Sequence, residues 1–154
     1  MRRHEKARRT ASAVTLLEVM VVVAIIGMVA SLVGLAVLER LQKAKGEVAR
    51  TQISTFVQAL QLFYLDNNFY PSTEQGLQAL VTAPTAGQVP KKFPENGYME
   101  AVPLDPWENE YVYISPAVDG PFLIMSLGRD GLQGGEGHDA DITNRDIAKT
   151  AAGK

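Results

Sequence analysis

The chain has 154 residues, of which 46% are hydrophobic and 21% are charged, a composition typical of one folded domain. Its net charge of -2 averages a basic start and an acidic last third. The basic residues form a short arm and no stripe across a folded face, which argues against nucleic-acid binding. The absence of cysteine excludes disulfides and thiolate metal sites.

The first predicted element is an apolar helix half over residues 14–38. Residues 19–38 carry no charge, and about 20 residues at roughly 1.5 Å each span the ~30 Å hydrocarbon layer of a bilayer. A basic arm precedes this run, whereas Glu39 and Arg40 follow it. This asymmetry predicts a cytoplasmic N-terminus, with the chain from about residue 40 on the other side of the membrane.

Glu18 stands alone at the head of the apolar run. An unpaired carboxylate is costly in a membrane, so Glu18 is a candidate functional residue. Two simpler interpretations stay open. The run is either a cleaved secretory signal, with a small-x-small site at residues 34–36, or a plain anchor whose Glu18 reaches the cytoplasmic interface. A secretory signal is usually shorter, with ~7 to 15 apolar residues.

The helical period continues beyond the membrane run to about Leu65. Asp66-Asn67-Asn68, followed by Tyr70-Pro71, predicts its end. The second half is amphipathic and is expected to bury one stripe in a globular head. The residues of this stripe recur at spacings of three and four: Leu41, Ala44 or Lys45, Val48, Gln52 or Ile53, Phe56, Leu60 and Phe63 or Tyr64.

The head is predicted to combine this helix with a small sheet. Ser72 and Gln75 have the spacing of a capping box for a short helix through residues 76–81. Apolar stretches at residues 98–102, 111–115 and 122–127 predict three strands of an antiparallel meander. Three strands are too few to be stable alone, so they are expected to pack on the helix in an α+β fold.

Residues 127–141 form an acidic loop, with carboxylates at 130, 136, 139 and 141 among five glycines. Hard oxygen ligands on a flexible loop favour calcium over magnesium. The spacing does not match an EF-hand loop. The chemistry alone therefore leaves a calcium site and a solvated acidic turn equally open.

The motifs that indicate an enzyme are absent from the sequence. It has no nucleophile elbow, phosphate-binding loop or zinc-protease motif. Ser126, His138 and Asp141 have the residue types of a triad but lie in or beside a glycine-rich loop with nothing to fix their geometry. We expect no catalysis, and a membrane-tethered periplasmic enzyme is the alternative from a different class.

The residues around Glu18 resemble the class III signal of type IV pilins and pseudopilins: a basic leader, Ala13, and then Val14-Thr15-Leu16-Leu17-Glu18. Other segments narrow the resemblance to the major pseudopilin of type II secretion systems, the general secretion pathway protein G family. These segments are residues 64–67, 70–77, 104–107, 126–128 and 139–142. The resemblance covers residues 12 to 144.

This resemblance implies that a prepilin peptidase removes the leader, residues 1–13, by cutting between Ala13 and Val14, and that Val14 is then N-methylated. Ala13 and Val14 stand where the family has glycine and phenylalanine. Glu18 becomes the fifth residue of the mature chain. In the family this glutamate supports assembly by neutralising the freed amine of a neighbouring subunit.

The resemblance also implies a calcium cofactor. Asp130, Asp139 and Asp141 are its expected ligands, with the backbone oxygens of Leu127 and Leu132. Residues 39–144 are expected to form a periplasmic head. Arg145 stands where the family has tryptophan, and residues 145–154 are expected to be a disordered tail.

The predicted function is that of a structural subunit, a major pseudopilin anchored in the inner membrane. It polymerises with its own copies into a periplasmic pseudopilus that drives folded proteins through the outer membrane. Its expected partners are minor pseudopilins, the prepilin peptidase and the inner-membrane secretion platform. The alternative is a type IV pilin or a minor pseudopilin.

Overall fold

A computed structural model describes residues 15–152, and the chain separates after Glu39 into two units. Helix α1 spans Leu16–Asn67 and contributes to both units. It begins at a cap, because the backbone N–H of Glu18 donates to Thr15 Oγ1 at 3.2 Å. It ends close to the position that the Asp-Asn-Asn sequence predicts.

The first unit has no core of its own among its described residues. The large apolar side chains at its start are exposed, from 48% at Val19 to 79% at Leu16. By length and composition alone, α1 could cross a membrane, a test that a signal sequence near the N-terminus also passes. At residues 16–31 and 36–38, this half of the helix therefore presents a largely apolar surface on all sides.

The core of the second unit lies between α1 and a small sheet. One helix face is buried at spacings of three and four, and Phe56 and Phe63 are fully buried as predicted. Leu41 and Val48 are each 50% exposed, so the predicted stripe is wrong at its start. The face that turns inward there carries Gln42 instead, which bonds to the head through its side chain.

Tyr64 is the second difference from the predicted core. It is 41% exposed and stacks on Tyr70 at a centroid distance of 4.7 Å, so it packs at the surface. The helix ends three residues later, at Asn67. Asn68 has a φ of 63° and donates its N–H to the Tyr64 carbonyl at 2.7 Å, a left-handed cap that asparagine tolerates.

The predicted capping box forms, although the helix that follows is only one turn. The Ser72 N–H donates to Gln75 Oε1 at 3.0 Å, and the Gln75 N–H donates to Ser72 Oγ at 3.3 Å. A 3₁₀ turn then spans Leu77–Leu80. The preceding Gly76 has a φ of 61°, which interrupts helical geometry and shortens the element.

Three antiparallel strands follow in the order β1-β2-β3, and the three-stranded sheet is confirmed. They are β1 Val112–Ile114, β2 Leu123–Ser126 and β3 Ile142–Thr143. The predicted strand at residues 98–102 is wrong, because the N–H groups of Tyr98 and Met99 donate to the Leu80 carbonyl. The two-residue β3 takes its place as the third strand.

Helix α2, Asn144–Ala152, replaces the expected disordered tail, so that expectation is wrong for residues 145–152. Thr143 and Asp146 form a reciprocal cap. The Asp146 N–H donates to Thr143 Oγ1 at 3.3 Å, and the Thr143 N–H donates to Asp146 Oδ2 at 3.1 Å. Ile147 packs against the core and fixes the helix there.

The cap of α2 makes stability depend on acid pH. The Thr143 hydroxyl donates to Asp146 and, with help from Lys149 and Arg50, lowers the pKa of Asp146 below its ordinary 3.8. As pH falls, the Asp146 carboxylate is therefore protonated in the unfolded chain before it is protonated in the folded chain. The contribution of the ionised carboxylate to the free energy of unfolding is complete above pH 3.8 and is lost as pH falls through the lower pKa of the folded state. Between about pH 6 and pH 2, the free energy of unfolding by urea should fall more in the wild type than in Asp146→Asn, which cannot titrate. Equal losses would contradict this role.

Candidate functional site

The acidic loop, residues 127–141, connects the neighbouring strands β2 and β3. It is wound tightly around the backbone carbonyl of Asp139. A Cβ at Gly128, where φ is 68°, would come within 2.9 Å of that oxygen, and a Cβ at Gly135 would overlap it. Glycine is therefore required at both positions, for its backbone conformation and for space.

A buried polar network anchors the base of this loop. The Ser126 hydroxyl donates to Asp105 Oδ2 at 2.6 Å, and both residues are buried. Asp105 Oδ1 accepts the backbone N–H groups of Trp107 at 3.0 Å and Asn109 at 2.9 Å. The Asn109 side chain then donates to the Gly128 carbonyl at 3.3 Å. Asp105, for which the sequence predicted no functional role, is the centre of this network.

Trp107 connects this network to α1, and Tyr111 beside the network bonds to the same helix. The Trp107 indole N–H donates to Gln42 Oε1 at 3.0 Å, and the Tyr111 hydroxyl donates to Gln52 Oε1 at 2.6 Å. Burial, and then the Asp105 carboxylate, raise the pKa of Tyr111 above its ordinary value, so the hydroxyl remains a donor. Trp107 therefore has a structural role, because it joins α1 to the base of the acidic loop.

The three predicted carboxylate ligands have different partners in the loop. Asp130 Oδ1 accepts the Leu132 N–H at 3.0 Å, and Asp141 Oδ2 accepts the Gly134 N–H at 2.9 Å. Asp139 accepts two hydrogen bonds from the Arg129 guanidinium, at 2.8 and 3.0 Å. The three side chains thus share one loop without sharing one partner.

The donor chemistry fits calcium, although the arrangement is not a ready-made metal cluster. Within residues 15–152, no three His, Cys, Asp or Glu side chains come together to hold a metal ion. Asp141 Oδ1 is nevertheless buried without a hydrogen-bond partner, which is unfavourable for a carboxylate oxygen and leaves it available to a cation or a hydrogen-bond donor. The carbonyl oxygens of Leu127 and Leu132 accept no hydrogen bond in the described part of the chain.

The second predicted site lies at the start of α1. Ala13 and Val14 are outside the described residues. Glu18 lies exposed in the first turn of the helix, where a carboxylate interacts favourably with the helix dipole. Thr15 caps that turn, and its spacing from Glu18, which is that of a capping box, is the sequence signal for this helix start.

Two known protein-family models match this chain. The model described as "Type II secretion system (T2SS), protein G" matches residues 36–145, and the "Prokaryotic N-terminal methylation motif" matches residues 8–34. The chain belongs to the type II secretion system protein G family. The family resemblance found in the sequence is confirmed.

Individual members of the protein G family align over almost their full length. Type II secretion system core protein G of Pseudomonas aeruginosa is 48% identical over 139 residues, which are 90% of this chain and 98% of that protein. The Vibrio cholerae protein of the same name is 46% identical over 142 residues, 92% and 97% of the two chains.

A solved structure extends the likeness from sequence to fold. The crystal structure of the major pseudopilin from the type 2 secretion system of enterohaemorrhagic Escherichia coli has 34% sequence identity and a TM-score of 0.61. The match covers 70% of this chain and 91% of that one. The long helix with a small three-stranded sheet is thus a fold that this protein G family member shares with a pseudopilin.

In this protein G family member, Ser126, His138 and Asp141 do not form a catalytic triad. Ser126 is fully buried and its hydroxyl donates to Asp105, so it faces no histidine base. His138 is exposed, and its backbone carbonyl accepts the Arg129 N–H at 3.2 Å. These three residues therefore lack the hydrogen-bonded order that nucleophilic catalysis needs.

Proposed function

We propose that the chain is a structural subunit, the major pseudopilin of a type II secretion system. It polymerises with its own copies into a periplasmic pseudopilus that drives folded proteins across the outer membrane. Minor pseudopilins and the inner-membrane secretion platform are its partners. The alternative, a type IV pilin or a minor pseudopilin, has less support, because the matched relatives are core G proteins.

One observation carries the polymerisation proposal. The first half of α1 is apolar, and its described side chains at residues 16–31 and 36–39 are exposed, whereas the residues from Arg40 onward have a core of their own. So large an apolar surface is unstable in water and needs either lipid or copies of the same helix around it. A membrane-anchored subunit that later assembles through this helix satisfies both needs in turn.

Glu18 fits this sequence of events. In a lone subunit its carboxylate stands at the head of an apolar segment and is unfavourable there. An amine on the neighbouring subunit, created by cutting before Val14, would neutralise it. The charge then favours the filament over the single subunit, because only the filament supplies the partner.

The amine depends on processing by a prepilin peptidase on the cytoplasmic side of the inner membrane. We propose a cut between Ala13 and Val14, followed by N-methylation of Val14. The methylation motif that matches residues 8–34 supports this reading. Residues after the membrane segment would then lie in the periplasm.

Intact mass spectrometry of the protein purified from membranes should give a chain that begins at methylated Val14. The conservative variant Ala13→Gly, which restores the small residue typical of the family, is expected to give the same product. An intact Met1 would indicate a plain anchor. A start at Val37 would indicate a cleaved secretory signal, and either result would contradict the processing proposal.

We also propose that the acidic loop binds calcium. Asp130, Asp139 and Asp141 would supply carboxylate oxygens, and Leu127 and Leu132 would supply backbone oxygens. The buried oxygen of Asp141 without a partner supports this assignment. When bound, the ion would neutralise the carboxylates and hold the loop against the head.

A further inference from the structure

We propose that Arg129 is an internal counter-cation that competes with calcium for Asp139. This inference rests on the calcium proposal and goes beyond it. It assigns a regulatory role to a residue that lies beside the expected ligands but is not one of them. Arg129 then raises the calcium concentration that is needed to occupy the acidic loop.

The first step is the geometry of the ion pair. Arg129 Nε and Nη2 lie 2.8 and 3.0 Å from the two carboxylate oxygens of Asp139, so the fork of the guanidinium holds both oxygens. The Arg129 N–H also donates to the His138 carbonyl at 3.2 Å. Backbone and side chain therefore join the same two stretches of the loop, which reduces the entropy lost when the pair forms.

The second step is the charge balance of the loop. Asp130 and Asp141 have hydrogen bonds from backbone N–H groups, which are neutral. Asp139 alone among the three expected ligands is paired with a cationic side chain in the described part of the chain. Arg129 thus offsets one of three carboxylates and leaves Asp141 Oδ1 buried without a partner.

The third step is competition between calcium and Arg129 for the same carboxylate. A calcium ion that takes Asp139 as a ligand needs at least one of the two oxygens that the guanidinium holds. A doubly charged ion close to Asp139 would also repel the guanidinium. Calcium binding therefore breaks at least one of these two hydrogen bonds and weakens the ion pair, and this loss is subtracted from the free energy of calcium binding.

Calcium titration by isothermal calorimetry of the full chain in detergent micelles tests the competition. Arg129→Gln should bind calcium about fivefold more tightly than the wild type, the size expected for a partly exposed ion pair. Arg129→Lys keeps a cation but loses the fork, so its affinity should be lower than that of Arg129→Gln. Equal affinities of Arg129→Gln and the wild type, or of the two variants, would overturn the inference.

Arg145→Gln is the matched control, because Arg145 forms a comparable pair with Asp119 at 3.0 Å outside the acidic loop. Its calcium affinity should equal that of the wild type. A gain in calcium affinity equal to that of Arg129→Gln would show that the effect comes from net charge alone, and it would overturn the inference. If neither wild type nor Arg129→Gln binds calcium, the calcium proposal fails as well. Equal binding by the two leaves calcium in place and removes only Arg129.

Discussion

Filaments are expected to be absent when Glu18 is replaced by alanine, although the subunit still inserts into the membrane. The apolar residues that carry insertion are unchanged, and removal of a charge makes insertion easier. Assembly would instead leave the neighbour's amine unpaired in an apolar filament interior. Loss of one partner of a buried ion pair costs about 3 to 5 kcal/mol, which lowers an association constant by more than about 100-fold.

The measurement is sheared-filament recovery and electron microscopy after overexpression, with membrane fractionation in parallel. Glu18→Gln separates the effect of charge from that of shape, because it keeps the size of the side chain and loses its charge. We expect this variant to form no filaments either. Glu39→Ala is the matched control, since Glu39 lies at the other end of the apolar run and is exposed. Normal filaments in Glu18→Ala would refute the pairing role.

Removal of calcium is expected to lower the melting temperature of the subunit by about 10 °C or more. A ligand at 100 times its dissociation constant stabilises the folded state by about 2.7 kcal/mol. For a head of roughly 100 residues, each kcal/mol corresponds to about 4 to 8 °C. Thermal unfolding of the full chain in detergent, with calcium or with a chelator, measures the difference.

Two substitutions tie this effect to the acidic loop. Asp130→Ala removes an expected ligand and should abolish the calcium-dependent difference in melting temperature. Asp119→Ala, which removes an exposed carboxylate from the loop between β1 and β2, should leave it unchanged. A wild type that melts at the same temperature with calcium and with chelator would return the loop to a solvated acidic turn.

The elements with a long, regular pattern could be predicted from the sequence. The end of α1 at Asn67 follows from a period sustained over many turns and a strong stop signal. Residues 98–102 had the composition of a strand, but a tertiary hydrogen bond to Leu80 decides their conformation. Local pattern does not contain that information.

The cap of α2 was predictable from the sequence, because Thr143 and Asp146 have capping-box spacing. These two residues follow directly on the acidic loop, whose carboxylates suggest a metal site more readily than a helix start. The hydrogen-bond partners of the loop carboxylates could not be predicted from sequence spacing. Arg129 is adjacent to Asp130 in the sequence but pairs with Asp139, ten residues away, because glycines fold the loop back on itself.

Trp107 gives the subunit a built-in optical probe. It is the single tryptophan of the chain, and its indole N–H is bonded to Gln42 while its backbone N–H is bonded to Asp105. Indole emission therefore originates at one position, where α1 meets the network beneath the acidic loop. Changes in the polarity of that joint are readable in unlabelled protein, without interference from a second fluorophore of the same kind.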